Sequence, residues 1–164
     1  FNSTSLNTVR LYTYRSVADV SVIPLTAYIR FGKPGSLVDS SSQGGRTCGV
    51  SMNGRINDFA LGKYGEKYYD LDGIIQNKGI MVPLFQDMKG IAREIAPFFN
   101  YHRLLGFDFS VDENNNIKLM EVNNLYVGII NQQMNTGPLF GEYTEEVVEY
   151  CLSNKKTVFF HFSI

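Results

Sequence analysis

The stretch GFDFSVDENNNIKLMEVNN, residues 106–124, decides the fold because apolar segments flank a run of acidic and amide residues. Phe, Val and Ile favour strands, whereas Asp and Asn favour turns. The pattern predicts strands at residues 104–111 and 117–122, joined by a turn over residues 112–116. We therefore expect an antiparallel hairpin in this part of the chain.

Further strands are predicted upstream of this hairpin. Residues 9–14 and 20–31 are dominated by β-branched and aromatic side chains, with a short turn between them. Residues 47–52 and 55–61 flank Asn53-Gly54, the dipeptide that best tolerates the positive φ angles of a type I′ turn. Two more hairpins are therefore expected before the middle of the chain.

Helices are predicted in the second half. Apolar residues recur at helical spacing over residues 85–99, which predicts an amphipathic helix whose last turn is distorted by Pro97. Residues 142–152 predict a final helix, and residues 158–162 a short strand. The order of strands, helix, hairpin and helix predicts a single α+β domain over residues 1–164, with a mainly antiparallel sheet and packed helices.

The composition excludes several classes of function. The chain has 15 Lys and Arg against 16 Asp and Glu, so no overall basic field attracts nucleic acid or an anionic membrane. No uncharged run approaches the roughly 20 apolar residues that a membrane span requires, and we expect a cytoplasmic protein. Cys48 and Cys151 lie far apart and the two histidines have no evident partners, which argues against zinc and disulfides.

The hairpin carries the candidate chemistry. A turn centred near residues 114–115 places Asp108 opposite Glu121, and Asn123 returns to the same face because strand side chains alternate. Two facing carboxylates repel each other, so a cation should neutralise them, and two carboxylates with an amide oxygen suit Mg²⁺ or Mn²⁺. The alternative is an ordinary hairpin whose polar face meets water. Four apolar side chains are expected to point the other way, into the core: Phe107, Phe109, Met120 and Val122.

The hairpin also resembles the metal-binding hairpin of ATP-grasp enzymes, in which an acid is followed thirteen residues later by Glu-x-Asn. Three upstream segments resemble the sugar-transfer associated ATP-grasp family: SLNTVRLYTY at residues 5–14, YIRFGKPGSLVDSSSQGGR at residues 28–46 and MVP at residues 81–83. The resemblance implies the C-terminal catalytic part of an ATP-grasp domain. It also implies that the lobe with the nucleotide-binding lysines precedes Phe1 and is absent from this chain.

The same resemblance implies the site residues. Magnesium and the nucleotide would be held by Asp108, Glu121 and Asn123. Arg30 and Arg46 look similar to two arginines that glutathione-synthetase-like members bring to the transferred phosphate and the acyl intermediate, and Arg10 is a weaker candidate. A guanidinium suits this role because it binds phosphate oxygens bidentately and keeps its charge. Without the resemblance, Arg30 and Arg46 would be interpreted as surface charges beside a loop.

The implied function is an ATP- and magnesium-dependent ligase that joins a carboxylate, through an acylphosphate, to an amine or similar nucleophile. Its partners would be ATP and small, sugar-linked acceptors in polysaccharide or glycoconjugate biosynthesis, and this chain alone is expected to be inactive. Two alternatives stay open: a non-catalytic ATP-grasp-like module in a glycan-assembly protein, and a purely structural α+β domain. P-loop and Rossmann nucleotide binding have no basis, because the sequence has neither GxxxxGK[ST] nor a strand-linked GxGxxG.

Overall fold

The fold is an antiparallel sheet with helices on both faces, seen in a computed structural model that describes residues 7–32, 44–70 and 79–154. The strands are β1 (Asn7–Arg15), β2 (Val22–Phe31), β3 (Arg46–Val50), β4 (Ala60–Leu61), β5 (Lys67–Tyr68), β6 (Leu104–Val111) and β7 (Ile117–Asn123). The α-helices are α1 (Phe85–Ile95), α2 (Ile130–Thr136) and α3 (Thr144–Ser153), with 3₁₀ turns at Ala96–Phe98 and Gly141–Tyr143. In the described part of the chain, the strand order is β5-β4-β3-β2-β1-β6-β7.

The main hydrophobic core lies between one face of the sheet and α1. Every second residue of the central strands faces this core because side chains alternate along a strand. The fully buried members include Leu11, Ala27, Ile29, Phe107, Phe109, Met88 and Ala92. Burying one such large side chain contributes about 1.5–3 kcal/mol, so this layer fixes which face of each strand is turned inward.

The opposite face of the sheet is more polar and is partly covered by α2. The Asn135 side chain on α2 donates to the hydroxyl of Thr47 on β3 at 2.8 Å. At the next residue, which is the last of α2, the hydroxyls of Thr136 and Thr26 lie 2.6 Å apart. These contacts hold α2 over β2 and β3, and leave the polar residues of β1, β6 and β7 beside it.

The main sequence predictions are confirmed. The chain has an α+β fold whose sheet is antiparallel in all its described pairings. The predicted hairpin is present as β6 and β7, and the predicted amphipathic helix as α1 followed by the 3₁₀ turn that contains Pro97. The predicted final helix corresponds to α3, whereas the predicted strand at 158–162 lies outside the described residues.

Two local expectations are wrong. The loop at Asn53-Gly54 is not a type I′ turn, because only Gly54 has a positive φ, of 99°. The amide of Gly54 instead donates to the carbonyl of Ser51 at 2.8 Å, which closes a different turn. Met120 does not enter the core and is 54% exposed, because it is the extra residue of a β-bulge in β7.

Among the described residues, no helix has both the length and the apolar character needed to cross a membrane.

Candidate nucleotide and metal site

The polar face of the sheet is centred on the buried carboxylate of Asp108, which two arginines bind. Arg10 Nε donates to Oδ1 at 2.7 Å and Arg10 Nη2 donates to Oδ2 at 2.6 Å, which forms a bidentate pair. Arg30 Nη2 donates to the same Oδ2 at 2.8 Å. Asp108 is only 3% exposed, so its charge is compensated inside the protein and not by water. We call these three residues the arginine–aspartate cluster.

Strand register explains why this cluster forms. Arg10 on β1 pairs directly with Asp108 on β6, so both side chains share one face of the sheet. Arg30 on β2 pairs with Thr8, two residues before Arg10, and therefore reaches Asp108 diagonally across β1. The Thr8 hydroxyl accepts a hydrogen bond from Arg30 Nε at 2.8 Å and orients its guanidinium.

Electrostatics keep Arg10 charged in this environment. Burial alone lowers the pKa of Arg10, but the hydrogen bond and the negative charge of Asp108 together raise it above the ordinary value. Arginine is already protonated at any physiological pH. Arg10 therefore keeps its positive charge beside Asp108.

The segment after β7 lies over this cluster. Residues 124–129, which we call the 124–129 segment, place two backbone carbonyls above β1: Arg10 Nη1 donates to Val127 O at 3.5 Å and the Tyr12 hydroxyl donates to Gly128 O at 2.6 Å. Burial raises the pKa of Tyr12, so its hydroxyl remains a donor. A Cβ at Gly106 would lie 2.9 Å from a methyl of Val127, so the close approach of this segment needs glycine there.

The register predicted for the two acids is present. Glu121 lies directly opposite Asp108 in the β6–β7 ladder, and Asn123 lies opposite Gly106, two residues further along the same face. Glu121 is exposed and Asn123 is half-buried. The amide nitrogen of Asn123 donates to Gly106 O at 3.4 Å, so its amide oxygen remains to accept a cation or a donor.

Arg46 is not brought to this cluster. It pairs with Phe31, a core residue, while Arg30 pairs with Thr47, so the register puts Arg46 on the opposite sheet face from Arg30. Its guanidinium lies 3.8 Å from the centre of the Tyr68 ring, and Nη1 donates to Gly44 O at 3.1 Å. A catalytic role for Arg46 stays a prediction.

Sequence reasoning gave too little weight to Arg10. Its contact with Asp108 spans 98 residues of sequence, and no local pattern connects them. Besides the family resemblance, the available signal is the alternation of β1, which puts Arg10 on the polar face between the apolar residues Val9 and Leu11. Which strand then lies beside β1 is decided by the topology.

The donor set fits a divalent cation that arrives with phosphate. Within the described residues, no three His, Cys, Asp or Glu side chains gather in one place, so a cation here would depend on Asp108, Glu121 and the Asn123 oxygen. The positive charges of Arg10 and Arg30 balance the negative charges of Asp108 and Glu121. The site therefore has no net negative charge to attract a cation that arrives without phosphate. Asp108 Oδ1 accepts a bond from Arg10 alone among the described residues, and a carboxylate oxygen has room for a second partner.

The comparisons with known proteins identify a family for the chain. A family model described as sugar-transfer associated ATP-grasp matches residues 1–148. No curated protein and no solved structure matches the chain. The family match spans the three strands of the arginine–aspartate cluster, β1, β2 and β6, and the whole β6–β7 hairpin. Because the match extends over most of its length, the chain belongs to the sugar-transfer associated ATP-grasp family.

Proposed function

We propose that this chain is the catalytic part of an ATP- and magnesium-dependent ligase that joins a carboxylate to an amine or similar nucleophile. Family membership supports ATP binding and ligase-like chemistry. The observation that carries the proposal is the convergence, on one sheet face, of Glu121, Asp108 and Arg30 through the pairing of four neighbouring strands. Oxygen donors for a metal and a fixed cation for phosphate then lie side by side.

The proposed reaction has two steps. In the first, an oxygen of the substrate carboxylate attacks the γ-phosphorus of ATP, the bond from that phosphorus to the β,γ-bridging oxygen breaks, and ADP leaves with the electron pair. In the second, the amine nitrogen attacks the acyl carbon, a C–N bond forms, phosphate leaves with the C–O electron pair, and the nitrogen loses a proton. The products are ADP, phosphate and the joined substrate.

The proposed metal ligands are Glu121, Asn123 and the remaining acceptor site of Asp108. These residues would hold magnesium, which would offset the charge of the terminal phosphates. Glu121 is the most accessible of the three and so the natural first contact for an incoming magnesium–nucleotide complex. Asn123 contributes a neutral oxygen, which leaves the net charge of the site to be set by the phosphates.

Arg30 is proposed to stabilise the transferring phosphoryl group. It is held by Thr8 and Asp108, so its guanidinium is oriented before any ligand binds. Preorganised donors stabilise developing negative charge because they need no reorganisation during the reaction. The acceptor is proposed to be a small, sugar-linked molecule of polysaccharide or glycoconjugate assembly, which the family description supports.

The test is magnesium-dependent ATP binding by the full natural protein. Glu121→Gln removes the exposed carboxylate, and Glu113→Gln is the matched control, because Glu113 is an exposed acid at the tip of the same hairpin. We expect Glu121→Gln to raise the magnesium concentration for half-maximal ATP binding by about tenfold or more, the size of one lost charge-assisted contact. Equal behaviour of the two variants would contradict the site assignment.

A second candidate function is a non-catalytic ATP-grasp-like binding module. The observation in its favour is that Arg10 and Arg30 already compensate the charge of Asp108 without a metal. This candidate predicts no magnesium-dependent ADP formation by the full natural protein under any set of acceptors. ADP release that needs both magnesium and Glu121 would eliminate it.

A further inference from the structure

We propose that Arg10 is a positioning residue of the nucleotide site, which holds the Asp108 carboxylate and the 124–129 segment in place and leaves Arg30 to meet the phosphoryl group. This inference rests on the proposed function and assigns the two arginines of the arginine–aspartate cluster different tasks. Arg10 and Arg30 lie on the same polar face, so their positions in the sequence do not distinguish their roles. Their contacts distinguish them.

Arg10 binds Asp108 as a fork and Arg30 does not. Arg10 uses Nε and Nη2 on both carboxylate oxygens, at 2.7 and 2.6 Å, and this planar geometry fixes the rotation of the carboxylate. Arg30 reaches Oδ2 with Nη2 and gives Nε to Thr8. The orientation of Asp108 therefore depends on Arg10, and Arg30 can contact a phosphate oxygen while Asp108 stays oriented and paired with a positive charge.

Arg10 is also slightly more buried than Arg30. The side chain of Arg10 is 12% exposed and that of Arg30 is 18% exposed, while Asp108 between them is 5% exposed. Arg10 also lies under the 124–129 segment through Val127 O. The guanidinium of Arg10 thus contacts both Asp108 and the 124–129 segment, which suits a supporting residue.

Arg10 contacts β6 and the segment that follows β7, and these two strands carry the proposed metal donors. Asn123 ends β7 and leads directly into the 124–129 segment, whose carbonyls at Val127 and Gly128 are held by Arg10 and Tyr12. Asp108, on the neighbouring strand, is held by the same guanidinium. Loss of the bidentate contact would release both the Asp108 side chain and the segment that follows Asn123. The three oxygen donors, Asp108, Glu121 and Asn123, would then no longer be held in place relative to one another.

The experiment compares Arg10→Lys with Arg30→Lys in the full natural protein. Lysine keeps the charge but cannot form the fork. The first readout is amide hydrogen exchange in residues 124–129 without ligand, and the second is the magnesium concentration for half-maximal ATP binding. Arg55→Lys is the matched control, because Arg55 pairs with Asp58 at 3.3 Å on the surface, outside the site.

We expect Arg10→Lys to accelerate exchange in residues 124–129 and to raise the half-maximal magnesium concentration, each by about fivefold to tenfold. Arg30→Lys and Arg55→Lys should leave exchange in that segment unchanged. Unchanged exchange in Arg10→Lys, or equal acceleration in Arg30→Lys, would overturn the division of tasks.

A second variant covers the case in which Arg10→Lys does not fold. Tyr12→Phe removes only the hydroxyl that donates to Gly128 O at 2.6 Å, and should accelerate exchange in the same segment. Unchanged exchange there would count against the proposal. If the wild-type protein does not bind magnesium–ATP, the proposed function fails, whereas the exchange results still show whether Arg10 holds the segment.

Discussion

Glu121 lies directly opposite Asp108 in the β6–β7 ladder, although the next pair, Phe109 and Leu119, is one residue out of step. The extra residue is Met120, which bulges out of β7. The bulge lets the acidic pair share a face while the apolar residues on the turn side keep their own register. The thirteen-residue step from Asp108 to Glu121 therefore covers three paired residues on each strand, the turn between them, and the bulged residue Met120.

The bulge predicts a small cost for changing Met120. Met120→Ala removes an exposed side chain and should change the free energy of unfolding by at most about 0.5 kcal/mol. Met88→Ala removes the same side chain from a fully buried position in α1 and should cost about 2–5 kcal/mol. Urea unfolding of both variants checks this, and a large loss for Met120→Ala would mean that Met120 packs in the core after all.

Asp108 should be a stability determinant as well as a site residue. Asp108→Asn leaves two enclosed guanidinium groups without their anion, and should lower the free energy of unfolding by about 3 kcal/mol. Asp58→Asn breaks an exposed pair with Arg55 and should cost at most about 1 kcal/mol. Chemical denaturation distinguishes the two, and equal losses would show that the arginine–aspartate cluster contributes no more than a surface ion pair.

Gly49 is expected to be intolerant of any side chain. A Cβ there would lie 2.5 Å from Asn57 Nδ2 and 2.8 Å from the backbone carbonyl of Asn135, so α2 would have to move away from β3. Gly49→Ala should therefore lower the free energy of unfolding by about 1–3 kcal/mol. Gly90→Ala is the control: nothing lies within 4 Å of its Cβ position in α1, and alanine there should stabilise by about 0.5–1 kcal/mol. A neutral Gly49→Ala would contradict the close packing of α2.

The attachment of α3 should weaken in acid. The Glu146 carboxylate accepts hydrogen bonds from the Tyr14 and Ser16 hydroxyls and the Val17 amide, at 2.7–2.9 Å, and these lower its pKa below the ordinary 4.5. A folded-state pKa below the unfolded value means that the unfolded state binds more protons. The stabilisation is then fully present above about pH 4.5 and is lost as the pH falls through the folded pKa.

The measurement for Glu146 is the unfolding free energy of Glu146→Gln relative to wild type as a function of pH. The difference should be largest near neutral pH and disappear in acid. Glu145→Gln, on the neighbouring exposed position of α3, should show no such dependence. A pH-independent difference for Glu146→Gln would mean that its charge does not contribute to these hydrogen bonds.

The local parts of the site were predictable because they depend on short-range rules. The turn-forming residues 112–116 and the strand-forming residues beside them predict β6 and β7, and with them the pair of Asp108 and Glu121. The helical spacing after Pro83 likewise predicts α1. Simple alternation predicts that Met120 faces the core because it takes no account of a bulge, and a bulge has no compositional signal in this strand.

The long-range parts were not predictable by the same rules. Two facing acids, Asp108 and Glu121, predict a nearby positive charge, and short-range rules alone suggest a bound cation. The structure shows that Arg10 and Arg30 supply positive charge as well. Arg46 looked equivalent to Arg30 in sequence, but the register of β2 and β3 separates them onto opposite faces.

Periodicity and turn chemistry act between residues that are close along the chain, so they specify the secondary-structure elements, the hairpin and the face that carries its oxygen donors. The position of β1 between β2 and β6, and with it the convergence of Arg10 and Arg30 on Asp108, depends on contacts between distant parts of the chain. Strand order is set by how apolar faces pack on α1 and by closure of long loops. The identity of a charged residue on the outer face has little influence on either.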